Sequence, residues 1–209
     1  MDLDLRKLNS TKLFDFSKEE EQLITDVYDE IFKIYNISVI NIEDSNYNQF
    51  NLEGKNPYSL FTPKICYFIT DKNKENSFYL FIVTKIEKTI RGGYLPPQLE
   101  TLQIWGLKRL DEDFGFISIN KKKWTDKIAG IFNSFNINFK DRNFKDFYIL
   151  GSNQFKTTAF LNSERREIIR SFPDEDFKLE VKRNILSFGL TKELSINNAL
   201  MVSKFLKEI

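Results

Sequence analysis

The sequence predicts an α+β fold: a mostly antiparallel sheet with an N-terminal amphipathic helix, a short middle helix and a C-terminal helix packed on it. Three observations lead there. β-rich runs come in adjacent pairs separated by turn residues, the pattern of hairpins. Helical spacing of apolar residues appears near the two ends and once between strands, which places helices against one sheet face. Residues 139–190 combine alternation, helix capping and a tight turn without interruption. That run parses as strand, turn, strand, short helix, strand, tight turn, strand.

The 209 residues suffice for one large domain with a sizeable core. No repeat, Pro/Ser-rich linker or low-complexity tract divides them, so the expectation is a single domain over 1–209 with 1–16 as an extended lead-in. Helix propagation then starts at Ser17. Ser17 and Glu20 match a capping box, and Glu19 to Glu21 suit the first turn. Leu23, Ile24, Val27, Tyr28, Ile31, Phe32 and Tyr35 recur at three and four residues, one apolar face ending near Asn36.

Ile37–Ile42 alternates as a short strand, and 43–58 is a polar, Asn-rich loop. Lys64–Thr70 and Phe78–Ile86 read as a hairpin across Asp71-Lys-Asn-Lys-Glu-Asn76. The second run is nearly continuous in apolar residues at its start, which suits a central strand covered on both faces. Gln98–Leu107 is ambiguous between helix and strand. Phe114–Ile119 is a strand, and Trp124–Phe132 a short helix. Asn162 or Ser163 caps a helix that Pro173 ends. Arg183-Asn184 turns between strands Phe177–Lys182 and Ile185–Leu190. Ser195 caps the last helix, with Ile196, Leu200, Phe205 and Leu206 on its apolar side.

Composition removes several chemistries. The chain has no His, which excludes a Ser-His-Asp triad, a His base and every His-containing metal site. Its one Cys, Cys66, sits in an apolar strand pattern and reads as a buried structural thiol. Lys+Arg 31 against Asp+Glu 30 gives a net charge of +1, and the missing basic excess argues against nucleic acid as partner. The 21 Phe accompany abundant Lys, Asn and Ile, all A/T-rich in codon. Biased coding explains them without an aromatic recognition role. Residues 1–10 lack a signal-peptide pattern, and no apolar run is long enough to span a membrane. The expected location is the cytoplasm.

Few motifs carry chemistry. Asp174, Glu180 and Lys182 follow the Pro-Asp…Glu-x-Lys order of metal-dependent nucleases, where carboxylates hold magnesium and the lysine stabilises charge. Only five residues separate Asp174 from Glu180. Glu180 and Lys182 also share a strand face with Lys178, the ordinary polar side of a half-buried strand. Asp111-Glu112-Asp113 and Asp174-Glu175-Asp176 follow no calcium-loop ladder. Lys121-Lys-Lys-Trp124 reads as a polar turn before a buried Trp, and Glu164-Arg-Arg-Glu167 as the solvated face of a helix. Arg91, Gly92, Gly93 and Tyr94, followed by Leu95-Pro96-Pro97, form the candidate ligand-binding loop, although the glycines lack phosphate-loop spacing. No cofactor or metal is implied.

Thr125-Asp-Lys-Ile, Ile137-Asn-Phe139, Phe144-x-x-Phe147-Tyr148, Gly151-Ser-Asn153 and Phe160-Leu-Asn162 are together similar to a family of uncharacterised bacterial proteins. In that family a soluble domain often follows membrane segments. The resemblance covers about residues 105–208 and rests on hydrophobic pattern. It implies an α+β domain and brings no catalytic residues. The expected function is a non-catalytic interaction or regulatory domain in a bacterial cytoplasm. The alternatives are an immunity- or antitoxin-like protein that binds one partner, and a nuclease-like hydrolase.

Overall fold

The structure is a computed structural model, and it describes residues 16–45, 59–87, 99–122 and 144–209. Eight antiparallel strands form one sheet in the order β1-β2-β3-β4-β8-β7-β5-β6. The strands are β1 (Asn36–Ile40), β2 (Ser59–Thr70), β3 (Ser77–Glu87), β4 (Leu99–Arg109), β5 (Phe116–Lys121), β6 (Phe147–Gly151), β7 (Phe177–Lys182) and β8 (Ile185–Leu190). The helices are α1 (Lys18–Ile34), α2 (Gln154–Phe160), α3 (Ser163–Ser171) and α4 (Ile196–Glu208). The expected α+β class and antiparallel sheet are therefore what the chain forms.

Local chemistry starts each helix where capping predicts. Ser17 Oγ accepts from the Glu20 amide at 3.2 Å, and Glu20 Oε2 accepts from the Ser17 amide at 2.8 Å. Asn162 Oδ1 accepts from the Arg165 amide at 2.8 Å, and Ser195 Oγ from the Asn198 amide at 3.1 Å. Each satisfies an amide that the first turn leaves without a helical partner.

Alternation divides the sheet into two faces. On the helix-covered face Ile65, Tyr67, Ile69, Phe78, Leu80, Ile82, Ile104, Leu179 and Phe188 join Ile24, Val27 and Ile31 of α1 and Val202, Phe205 and Leu206 of α4. The centre of this core is aromatic. Phe188 stacks on Phe205 with ring centroids 3.7 Å apart, and Phe172 meets both rings edge-on at 4.9 and 5.5 Å. Gly106 lets α4 settle on β4, because a Cβ there would lie 2.1 Å from Leu206 Cδ1. On the opposite face Cys66, Phe81, Val83, Trp105, Leu107 and Ile185 form a smaller cluster. A Cβ at Gly189 would lie 2.4 Å from the Trp105 ring. Cys66 is buried as expected, and burial pushes its thiol up to about 12, against a smaller opposing hydrogen bond from Ser45. It is protonated at neutral pH and a poor nucleophile.

Three elements differ from expectation. β2 begins before Lys64, and a register shift between Pro63 and Ile65 carries the strand past a residue without an amide hydrogen. The ambiguous 98–107 stretch is strand β4, paired on both sides by β3 and β8. Gln154–Phe160, expected as a strand, is helix α2. Asn153 Oδ1 accepts from the Lys156 amide at 3.0 Å, and Thr157 and Phe160, three residues apart, turn into the core. The predicted Trp124–Phe132 helix lies outside the described residues.

Candidate functional site: a cationic cleft

The β7–β8 turn builds the floor of the site. Arg183 takes a left-handed backbone at φ 58, uncommon for a residue with a side chain. The segment following β4 holds it there. The Leu110 amide donates to the Asn184 carbonyl at 2.7 Å, the Phe114 amide to the Arg183 carbonyl at 2.9 Å, and the Arg183 amide to the Gly115 carbonyl at 2.7 Å. Gly115 sits at φ 71, a conformation that suits glycine. Asp113 Oδ1 accepts from the Gly115 amide at 2.7 Å and from Lys156 Nζ at 3.0 Å. Those bonds hold its carboxyl below the ordinary value, the Lys156 bond foremost.

Two cations reach into the space beside this turn. Lys108, near the end of β4, shares the helix-covered face with Gly106, and its Nζ donates to the Lys207 carbonyl at 3.5 Å. Arg165 comes from the first turn of α3. Its guanidinium lies against a pair of rings, 5.2 Å from the Phe114 centroid and 4.9 Å from the Phe160 centroid. Its Nε donates to the Ile209 main-chain oxygen and its Nη1 to the Phe160 carbonyl, both at 3.4 Å. With Arg109, Asn184, Asn76 and Asp111 these residues line an open cleft of about 540 Å³.

Burial is the main cause that lowers the Lys108 pKa, and the neighbouring Arg165 charge lowers it further against Asp111 and Asp71. Arg165 is lowered mainly by burial too, against Glu112, Glu164 and Asp111. Neither has an Asp or Glu carboxylate in ion-pair contact among the described residues. Other cations do: Lys156 with Asp113, Lys121 with Glu175, Lys192 with Asp174 and Arg170 with Glu167. Two half-buried like charges whose bonds go to main-chain oxygens suit an acceptor-only anion from outside.

The residues singled out by sequence lie elsewhere. Asp174 precedes β7, where Oδ1 accepts from the Asp176 amide at 2.8 Å and Oδ2 from Lys192 Nζ at 2.7 Å. Glu180 is mid-strand on the face away from the helices, between Ser118 and Ser187. Lys182 ends the strand opposite Ile185. At about 3.3 Å per residue, β7 alone places Lys182 roughly 16 Å from the Asp174 end. Among the described residues no three His, Cys, Asp or Glu side chains gather where they could hold a metal ion. Arg91, Gly92, Gly93 and Tyr94 lie outside the described residues, as does Trp124. Sequence reasoning missed Lys108 and Arg165. The first lies next to a stretch of undecided type, and the second reads as part of a solvated face. The only local signal was the Lys108-Arg109 pair.

No protein-family model, curated protein or solved structure matches the chain. Among the described residues no helix is long and apolar enough to cross a membrane.

Proposed function

We propose that this chain is a non-catalytic interaction or regulatory domain, of bacterial origin and cytoplasmic, that recognises its ligand through an anionic group held at Lys108 and Arg165. One observation carries the reading: two half-buried cations line one open cleft, and among the described residues neither has an Asp or Glu carboxylate in ion-pair contact. Such an arrangement costs stability, and sites that break local rules of stability are where function concentrates. The resemblance to uncharacterised bacterial proteins without catalytic residues is consistent with it. Anion titration of the full chain at constant ionic strength tests it, followed by thermal unfolding. The midpoint should rise saturably with anion, and in Lys108→Ala the same rise should need about tenfold more anion. Conversion of a bound ligand to product, lost in one polar variant, would overturn the non-catalytic part.

A second reading, an immunity-like protein that binds one basic partner, is favoured by α1. Asp26, Asp29 and Glu30 border a recess there beside Phe32, which is 47% exposed, and the lysine lining it, Lys33, is paired with Glu30 at 2.5 Å. Asp26→Lys with Glu30→Lys should abolish retention of cationic peptides at low salt. Unchanged retention removes this reading.

A further inference from the structure

The donors left over in the cleft narrow the ligand's chemistry, on the premise that the cleft binds anions at all. A guanidinium has five N–H groups. In Arg165 the Nε hydrogen goes to Ile209 and one Nη1 hydrogen to Phe160. Three remain, one on Nη1 and two on Nη2. The guanidinium carbon lies over the Phe114 and Phe160 rings, 5.2 and 4.9 Å from their centroids. The three unspent hydrogens all sit at the Nη edge of the guanidinium, so a ligand that pairs with them arrives there. In-plane approach to two adjacent nitrogens is the bidentate geometry of an oxyanion. An ammonium has three N–H groups, and Lys108 directs one at the Lys207 carbonyl. Two remain in the same cleft.

Five unspent donors on two positively charged side chains therefore line one cleft, with the Glu75 and Asp111 carboxylates on its wall. A carboxylate offers two oxygens with about four acceptor sites, fewer than the five donors. A phosphate monoester offers three terminal oxygens and close to two negative charges. Its three oxygens can accept all five donors. The cleft is also larger than a phosphate needs. At about 540 Å³ it lies within the ~300–1,000 Å³ range of small-molecule sites. Beyond the two cations it presents Asn76, Asn184, Glu75 and Asp111, acceptors and donors suited to hydroxyl groups rather than to an apolar body. We infer that the cleft binds a phosphate monoester of a small, hydroxyl-bearing molecule, with the phosphate between the Arg165 Nη edge and Lys108.

Isothermal titration of the full chain with four probes at fixed ionic strength tests this: glucose 6-phosphate, inorganic phosphate, acetate and glucose. Glucose 6-phosphate should bind tightest and phosphate more weakly, with acetate and glucose at least about tenfold weaker than the ester. Arg165→Lys keeps the charge and loses the planar fork, so it should weaken the ester about ten- to a hundredfold. Lys108→Met should weaken it about tenfold while circular dichroism reports an unchanged fold. Equal binding of inorganic phosphate and the ester would assign the site to the free anion and overturn the ester. Acetate binding as tight as phosphate, and still dependent on Arg165, would overturn the phosphate assignment and leave the anion-binding reading standing. Binding of no probe, or binding indifferent to both substitutions, overturns both.

Discussion

The two ends of the β7–β8 hairpin carry the same kinds of side chain and treat them in opposite ways. At the open end, Lys192 meets the Asp174 carboxylate at 2.7 Å and Asp176 at 3.6 Å. The bond to Asp174 is the main reason its pKa is raised. At the turn end, Lys108 meets another cation and a helix-end carbonyl, and burial lowers its pKa. The open end is a closed account of charge, so it has nothing to offer a ligand. The turn end keeps charge in partial burial with donors unspent. The difference separates a structural ion pair from a recognition site, and net charge alone does not reveal it.

The largest blow to this contrast is Phe188→Ala. It removes the ring stacked on Phe205 and leaves a cavity under α4, at a cost of about 3–5 kcal/mol. Amide exchange should show α4 losing protection before the hairpin does. The turn end, framed by the Lys207 and Ile209 oxygens, then fails while the Asp174–Lys192 pair persists. Gly106→Ala should cost about 1–3 kcal/mol, since the added Cβ drives into Leu206 and displaces α4. Chemical denaturation measures it, and anion affinity should fall with it. Lys108→Met has the opposite sign. It removes a disfavoured charge, so the unliganded midpoint should rise by about 1–2 °C as ligand affinity falls. The sign in pH follows from linkage. The folded-state pKa lies below the ordinary lysine value, so between the two the unfolded chain binds more protons and stability rises with pH. That alkaline rise should be smaller in Lys108→Met. Asp174→Asn is the smallest change. The amide oxygen still accepts from Asp176, and only a surface ion pair is lost, so the midpoint should move by less than about 2 °C. Anion affinity should not move.

Much of the framework is legible residue by residue. Ser17 with Glu20, Asn162 and Ser195 announce their helices because a cap is a bond between near neighbours. Phe177, Leu179 and Val181 announce a half-buried strand because side chains alternate. Arg183-Asn184 announces the turn, although its left-handed arginine depends on Gly115, which the hairpin's own residues do not include. Gln154–Phe160 misled because Phe155, Thr157 and Thr158 favour strands by propensity. A single Asn153 cap and the burial of Phe160 outweighed that preference. Arg165 misled because Glu164-Arg-Arg-Glu167 is balanced in charge, and periodicity on so short a helix does not say which of two adjacent arginines turns inward.

The candidate site lies on the far side of that divide. Sequence alone determined the element types, the absence of His chemistry and the polar and apolar faces, since these depend on composition and on contacts a few residues long. Only the tertiary structure decided that β8 pairs with β4, that α3 brings Arg165 against Phe114 and Phe160, and that the end of α4 meets Lys108. Those contacts join residues distant in the chain, and the pair of half-buried cations exists only once strand order and helix packing have brought them together.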